Sequence, residues 1–269
     1  MKKISKMLSI VFLCTFLVAG TAFAVPVYTD GNNDLVDVFD ALGLDDAGYD
    51  VVDDQQVPIP YWKPSAVGSI SGFRFTDIGF TGDSEFGIYS SATAEKLALF
   101  NSTYDDGSTA TLTFNIDGTV NVTRQKGLSS TVAISDAGFG SSFGFYMTSD
   151  DGYSDGTYYS DVTKNPGWTP TWDANDTNTY YDWMLFYQGG PGVNLNDAYG
   201  FSGGFFGQDD WLIAADGWTH GDPSLGKLDF TDAVILIESV QPVPEPATML
   251  LLGTGLMGLA VIGRRKFNK

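Results

Sequence analysis

The chain has 269 residues, with 33 acidic and 14 basic side chains, a formal net charge of −19 and one cysteine. Glu245 is the only acid in the two apolar ends of the chain, which hold seven of the bases, so the body between them carries 32 acids and seven bases. That leaves no basic surface to meet phosphates and excludes nucleic acid as a natural partner; the excess suits solubility and divalent cations instead.

The N-terminus carries Lys2, Lys3 and Lys6, then an apolar run over 7–19, then Ala22-Phe23-Ala24. A basic start, a short apolar core and a small-x-small site predict a secretory signal peptide over 1–24, cleaved after Ala24 with Ala22 as the other small residue. The signal helix is therefore excluded from the fold. Cys14 lies inside the apolar run behind Leu13, where a lipoprotein would carry a small residue. It leaves with the signal, and the mature chain has no thiol for a disulfide, a nucleophile or a zinc ligand.

Residues 25–67 are expected to form an N-terminal segment. Leu35, Phe39 and Leu42 share one face of a helix over 34–42 that Gly43 ends. The acidic stretch 45–64, with Pro58, Pro60 and Pro64, reads as irregular surface chain. From 68 to 242 the pattern changes to short strands between Gly- and Asp-rich turns. Ala110, Leu112, Phe114 and Ile116 alternate toward one face, Asp117-Gly118 follows, and Val120 and Val122 resume the alternation, which predicts a hairpin. Further strands are expected at 69–75, 87–89, 97–100, 131–134, 142–147, 156–160, 183–188, 211–215 and 228–240. The fold class is all-β, an antiparallel β-sandwich with jelly-roll-like character. Phe86-Gly87-Ile88-Tyr89 is echoed by Phe143-Gly144-Phe145-Tyr146. Two matches of this length do not make a repeat architecture.

The tail, 243–269, joins three features. Pro244-Glu245-Pro246 cannot enter a helix, residues 247–263 form a Gly-interrupted apolar run, and Arg264-Arg265-Lys266 close it. Seventeen helical residues span roughly 25 Å, enough for one transmembrane helix, and the basic cluster places its C-terminal end in the cytoplasm. In this order and spacing the tail resembles the PEP-CTERM sorting signal of Gram-negative bacteria. The resemblance implies export, transient anchoring in the inner membrane, processing near the triplet by an exosortase, and delivery to the cell surface or an extracellular polysaccharide layer. Pro244, Glu245, Pro246, Arg264 and Arg265 would be the sorting residues.

The body is also similar to an uncharacterised bacterial domain family without known activity that often precedes such tails. The resemblance rests on the Phe-Gly-Ile-Tyr strand, Phe143-Gly144-Phe145-Tyr146, Tyr158-Tyr159-Ser160-Asp161 and a closing strand from Asp229 to Glu238. That family usually closes on Asp-x-Asp-Phe-Asn-Asp. Lys227 and Thr231 break the pattern here, so only Asp229 and Asp232 carry over.

Three chemistries compete for the body. Calcium is the cofactor its oxygens would suit, with Asp229 and Asp232 the first candidates; the loop from Asp151 fails as an EF-hand at Tyr153 and Val162. Carbohydrate binding would use loop tryptophans, Trp168 and Trp172, although aromatic residues in a disulfide-free sandwich are first of all core. Catalysis has the least support. His220 is the sole histidine, and no Gly-x-Ser-x-Gly elbow or spaced carboxylate pair stands out. The sequence predicts an exported, non-catalytic surface or matrix protein, with a calcium-dependent carbohydrate-binding module as the alternative.

Overall fold

A computed structural model describes residues 34–51, 53–56, 59–65, 70–77, 84–101, 107–126, 129–149, 156–165, 183–216, 230–243 and 254. In chain order these form α1 (Asp34–Leu42), β1 (Trp62–Pro64), β2 (Ile70–Asp77), β3 (Glu85–Ser90), β4 (Lys96–Asn101), β5 (Ser108–Phe114), β6 (Val120–Lys126) and β7 (Ser129–Ile134). Then follow β8 (Phe143–Ser149), β9 (Gly156–Tyr159), β10 (Met184–Gln188), β11 (Asn194–Leu195), β12 (Gly204–Phe205), β13 (Trp211–Ala215), β14 (Ala233–Glu238) and β15 (Val240–Pro242).

Two antiparallel sheets carry the body. Sheet I has the order β15-β1-β8-β3-β4, with β9 also on β8; sheet II runs β10-β13-β14-β2-β5-β6-β7, and β11 and β12 form a small separate ribbon. The sheets pack face to face. Phe86, Ile88, Phe143, Phe145 and Met147 of sheet I share one core with Leu112, Val122, Phe186, Ile213, Ile235 and Ile237 of sheet II. Trp62, fully buried, stands at its centre with ring centroids 4.8 Å from Trp211, 5.3 Å from Phe186 and 5.9 Å from Phe145. The all-β antiparallel class is the one the sequence predicts.

Strands β10, β13 and β14 read as unbroken apolar runs because both their faces are covered. Leu185, Tyr187, Leu212, Ala214, Val234 and Leu236 point away from the first core into a second one, closed by Leu35, Val38, Phe39, Leu42, Leu44 and Val51. The spacing of the helix residues, i, i+3, i+4 and i+7, puts them on the face of α1 that meets sheet II. Gly43, at φ +74°, ends α1 where the sequence places its end. The Leu44 N–H donates to Phe39 O and the Gly43 N–H to Asp40 O, both at 2.9 Å, which is a Schellman cap and needs the left-handed conformation glycine supplies.

Several expectations change. Trp62–Pro64, read as the end of an irregular surface stretch, forms β1 inside sheet I, because the Trp62 indole carries the segment into the core. The Asp117-Gly118 hairpin joins β5 to β6 as predicted, but the turn starts one pair early: the Asn115 N–H donates to Thr119 O at 2.9 Å. Ile116 therefore leaves the core face and lies in the exposed turn. The long strand expected over 228–240 is split. Ser239 takes φ +62°, and the chain passes there from sheet II to sheet I. No helix among the described residues is long and apolar enough to cross a membrane. The apolar run 247–263 lies outside those residues apart from Thr254, as do the signal residues Ala22 and Ala24.

Candidate functional site

Of the predicted calcium pair, Asp232 is described and Asp229 lies outside the described residues. Asp232 immediately precedes β14, and Asp216 immediately follows β13. Ala215 pairs with Ala233 as the last pair of this ladder, and the two acids are the residues next beyond it along the chain. Asp216, which the sequence reading did not single out, is 2% exposed. Its Oδ2 accepts the backbone N–H of Phe230 at 3.3 Å, and its own N–H donates to Trp183 O at 3.1 Å. The available signal was an aspartate directly after the apolar run 211–215. Asp210 braces a turn, its Oδ2 accepting the Gly207 N–H at 2.8 Å, while burial pushes its carboxyl above the usual range. Among the described residues no group of three or more His, Cys, Asp or Glu side chains is placed to hold a metal ion.

Trp168, Trp172 and His220 lie outside the described residues. Trp62, Trp183 and Trp211 are core residues and offer no face to a sugar. The aromatic side chains that do gather are tyrosines, on the outer face of sheet I. Strands β3 and β8 pair with Gly87 opposite Tyr146 and Tyr89 opposite Gly144. Each tyrosine ring folds over the glycine facing it, so the repeated Phe-Gly-x-Tyr pattern is a reciprocal cross-strand lock. Each strand sends its phenylalanines inward and its tyrosine outward.

Charged groups finish this face. The Tyr61 hydroxyl donates to Asp161 Oδ2 at 2.9 Å, and the Tyr146 hydroxyl donates to Glu85. Lys96 Nζ sits 5.0 Å and 5.2 Å from the ring centres of Tyr146 and Tyr159, and Lys164 Nζ 5.5 Å from that of Tyr89. Burial drives the hydroxyls of Tyr89 and Tyr146 far above the ordinary tyrosine range; Tyr61 adds to the shift at Tyr89, and Glu85 to that at Tyr146.

The last described strand leads to the sorting triplet. Val240 is fully buried in the first core. β15 pairs antiparallel with β1 through Val240 with Pro64, Gln241 with Lys63 and Pro242 with Trp62. The ladder is extended at both ends: the Ser65 N–H donates to Ser239 O and the Val243 N–H to Tyr61 O, each at 2.9 Å. The Gln241 side chain adds a bond from Nε2 to Ser65 O at 3.2 Å. One residue beyond Val243 stands Pro244.

Residues 242–266 match the PEP-CTERM protein-sorting motif. No curated protein and no solved structure matches the chain. The motif holds the predicted sorting residues Pro244, Glu245, Pro246, Arg264 and Arg265, which lie outside the described residues. It is the recognition signal of exosortases, and on this chain it begins at Pro242, inside a paired strand of the body. The PEP-CTERM tail therefore follows the folded body with no linker between them.

Proposed function

We propose that the protein is an exported, non-catalytic cell-surface or extracellular-matrix protein, delivered by its PEP-CTERM tail and associated with extracellular polysaccharide. The observation that carries this reading is the motif match over 242–266. In the same reading residues 1–24 direct export, 247–263 span the inner membrane, and an exosortase removes the tail near Pro244-Glu245-Pro246. The body is then a stable all-β load whose polar groups serve the fold: Asp216 and Asp210 hold backbone N–H groups, and Glu85 and Asp161 hold tyrosine hydroxyls. Fractionation of the source cells tests the reading. The native chain is expected outside the inner membrane in a shortened form, and a chain with Pro244, Glu245 and Pro246 all changed to Ala is expected to stay in the inner membrane at full length. Equal distribution of the two chains would overturn it.

The second reading is a calcium-dependent carbohydrate-binding module, with Asp229 and Asp232 as the first candidate ligands of the cation. A cation that binds only the folded chain raises the thermal midpoint with its concentration. A calcium-dependent rise that disappears in Asp232→Asn supports the cation site this module needs, and an unchanged midpoint dismisses it.

A further inference from the structure

Between Pro242 and Pro246 every second residue is proline, at 242, 244 and 246. Proline has no backbone N–H, so Val243 and Glu245 carry the only donors in this stretch. In an extended chain alternate residues present their backbone groups to the same side. Gln241 and Val243 share one edge of β15, and an enzyme that held 241–246 extended would find backbone donors on that edge alone, at Gln241, Val243 and Glu245. The folded body already uses the donor edge, since the Val243 N–H is bonded to Tyr61 O. Among the described residues β15 is also the outer strand of sheet I, and Pro242 leaves its outer edge short of a donor, which disfavours strand addition there.

An endopeptidase holds its substrate as an extended strand, largely through backbone hydrogen bonds on either side of the cut. We propose that β1 and the enzyme that removes the tail compete for the same donor edge, so that β15 must part from β1 before the tail is cut. The proposal rests on the sorting reading above and adds to it the segment the enzyme takes: Gln241 and Val243 on the body side, as well as the triplet. Reach points the same way. Val243, the last described residue of the body before the triplet, is four Cα steps from Ala247, where the apolar run starts, and these span at most about 14 Å when extended. A body zipped to Val243 is held against the membrane surface with no free chain on its side of the triplet. Removal of the tail breaks one peptide bond: the acyl carbon passes to water or an acceptor amine, and the leaving amine takes a proton and departs with the tail. The fold sets when that bond is accessible, because an edge strand with a three-residue ladder opens locally more readily than the sandwich unfolds.

The test is pulse-chase conversion of the full chain to its tail-less form in the source cells, read by gel mobility. In one variant the segment Gly-Ser-Gly-Ser-Gly-Ser-Gln-Pro-Val is inserted between Val243 and Pro244. It gives the triplet its natural neighbours a second time, away from β1. In the other, Val240→Ala loosens β15 from the core. Conversion several-fold faster in the spaced chain, with Val240→Ala between it and the native chain, is the expected result. Equal rates for the native and spaced chains would overturn the competition and leave the sorting reading standing. Failure of both chains to lose the tail would overturn the sorting reading and the proposal with it.

Discussion

An added methyl group at Gly144 would sit 2.5 Å from the Tyr89 ring, and one at Gly87 would meet Tyr146 Cε1 at 2.7 Å and press on Leu97 O as well. The reciprocal lock therefore tolerates no side chain at either position, and overpacking of this kind costs about 1–3 kcal/mol. Gly144→Ala is expected to lower stability by about that much in urea unfolding. In a Tyr89→Ala background the same change should cost much less, which a double-mutant cycle measures. Gly87→Ala has no such rescue, since a backbone carbonyl cannot be trimmed away. Proton linkage is visible at this scale too. Tyr89, Tyr146 and Tyr187 are all raised far above the ordinary value of 10.0, each first by burial. They stay neutral in the folded chain, whereas in the unfolded chain they ionise as the pH passes that value. Stability from these groups is thus complete below about pH 9 and is lost above about pH 10, by about 1.4 kcal/mol per pH unit for each tyrosine. Urea midpoints measured between about pH 8 and about pH 11 should be flat and then fall; a flat profile throughout would show the tyrosines to be free to ionise.

Among the elements, β1 has the greatest consequence for its length. Its three residues bridge β15 and β8, and Trp62 places its ring at the meeting point of both sheets. The neighbouring chain is tied down as well, with the Ser160 hydroxyl donating to Pro60 O at 3.0 Å. Removing the indole should open a cavity and cost about 3–5 kcal/mol in Trp62→Ala. The buried indole Nε1 has no hydrogen-bond partner among the described residues, so Trp62→Phe forfeits packing volume and should lose clearly less. Chemical denaturation of the two variants checks the order. At the far end of sheet II, β7 exposes Val132 and Ile134 on an outer strand, and the chain leaves it without cover among the described residues.

Across the whole molecule, sheet II is shared between two cores. α1 and the coil after it cover β10, β13 and β14 on one side while sheet I covers them on the other. Phe39 meets Tyr187 edge-to-face at 4.8 Å, and the Tyr187 hydroxyl donates to Val51 O at 2.7 Å, so the N-terminal layer is fastened to the middle one. Strands common to both cores couple them, and the body should unfold as one unit. Phe39→Ala, an alteration in the outer layer, is expected to cost about 3–5 kcal/mol and to shift a single transition followed by both near- and far-ultraviolet circular dichroism. Two separated transitions would show the layers to be independent.

Periodicity and turn chemistry, both local, made α1, its Gly43 end, the Asp117-Gly118 hairpin and most strands legible, because i+3/i+4 spacing, alternation and the φ demands of turns act over a few neighbouring residues. The sorting tail was equally legible, since its order of proline triplet, apolar run and basic cluster is itself the signal. What the sequence left open depended on partners far along the chain. Trp62 looked like part of a surface stretch until β8 and β15 closed around it, and the Phe-Gly-x-Tyr echo had no meaning until β3 and β8 paired antiparallel. Asp216 became notable only through its burial and its bond to the N–H of Phe230, a residue of the next strand's approach. By itself the sequence determined the class of the fold and the presence of the sorting motif. Tertiary structure alone decided that the motif starts on a strand already paired, because the register of β15 on β1 is fixed by long-range burial of Trp62 and Val240.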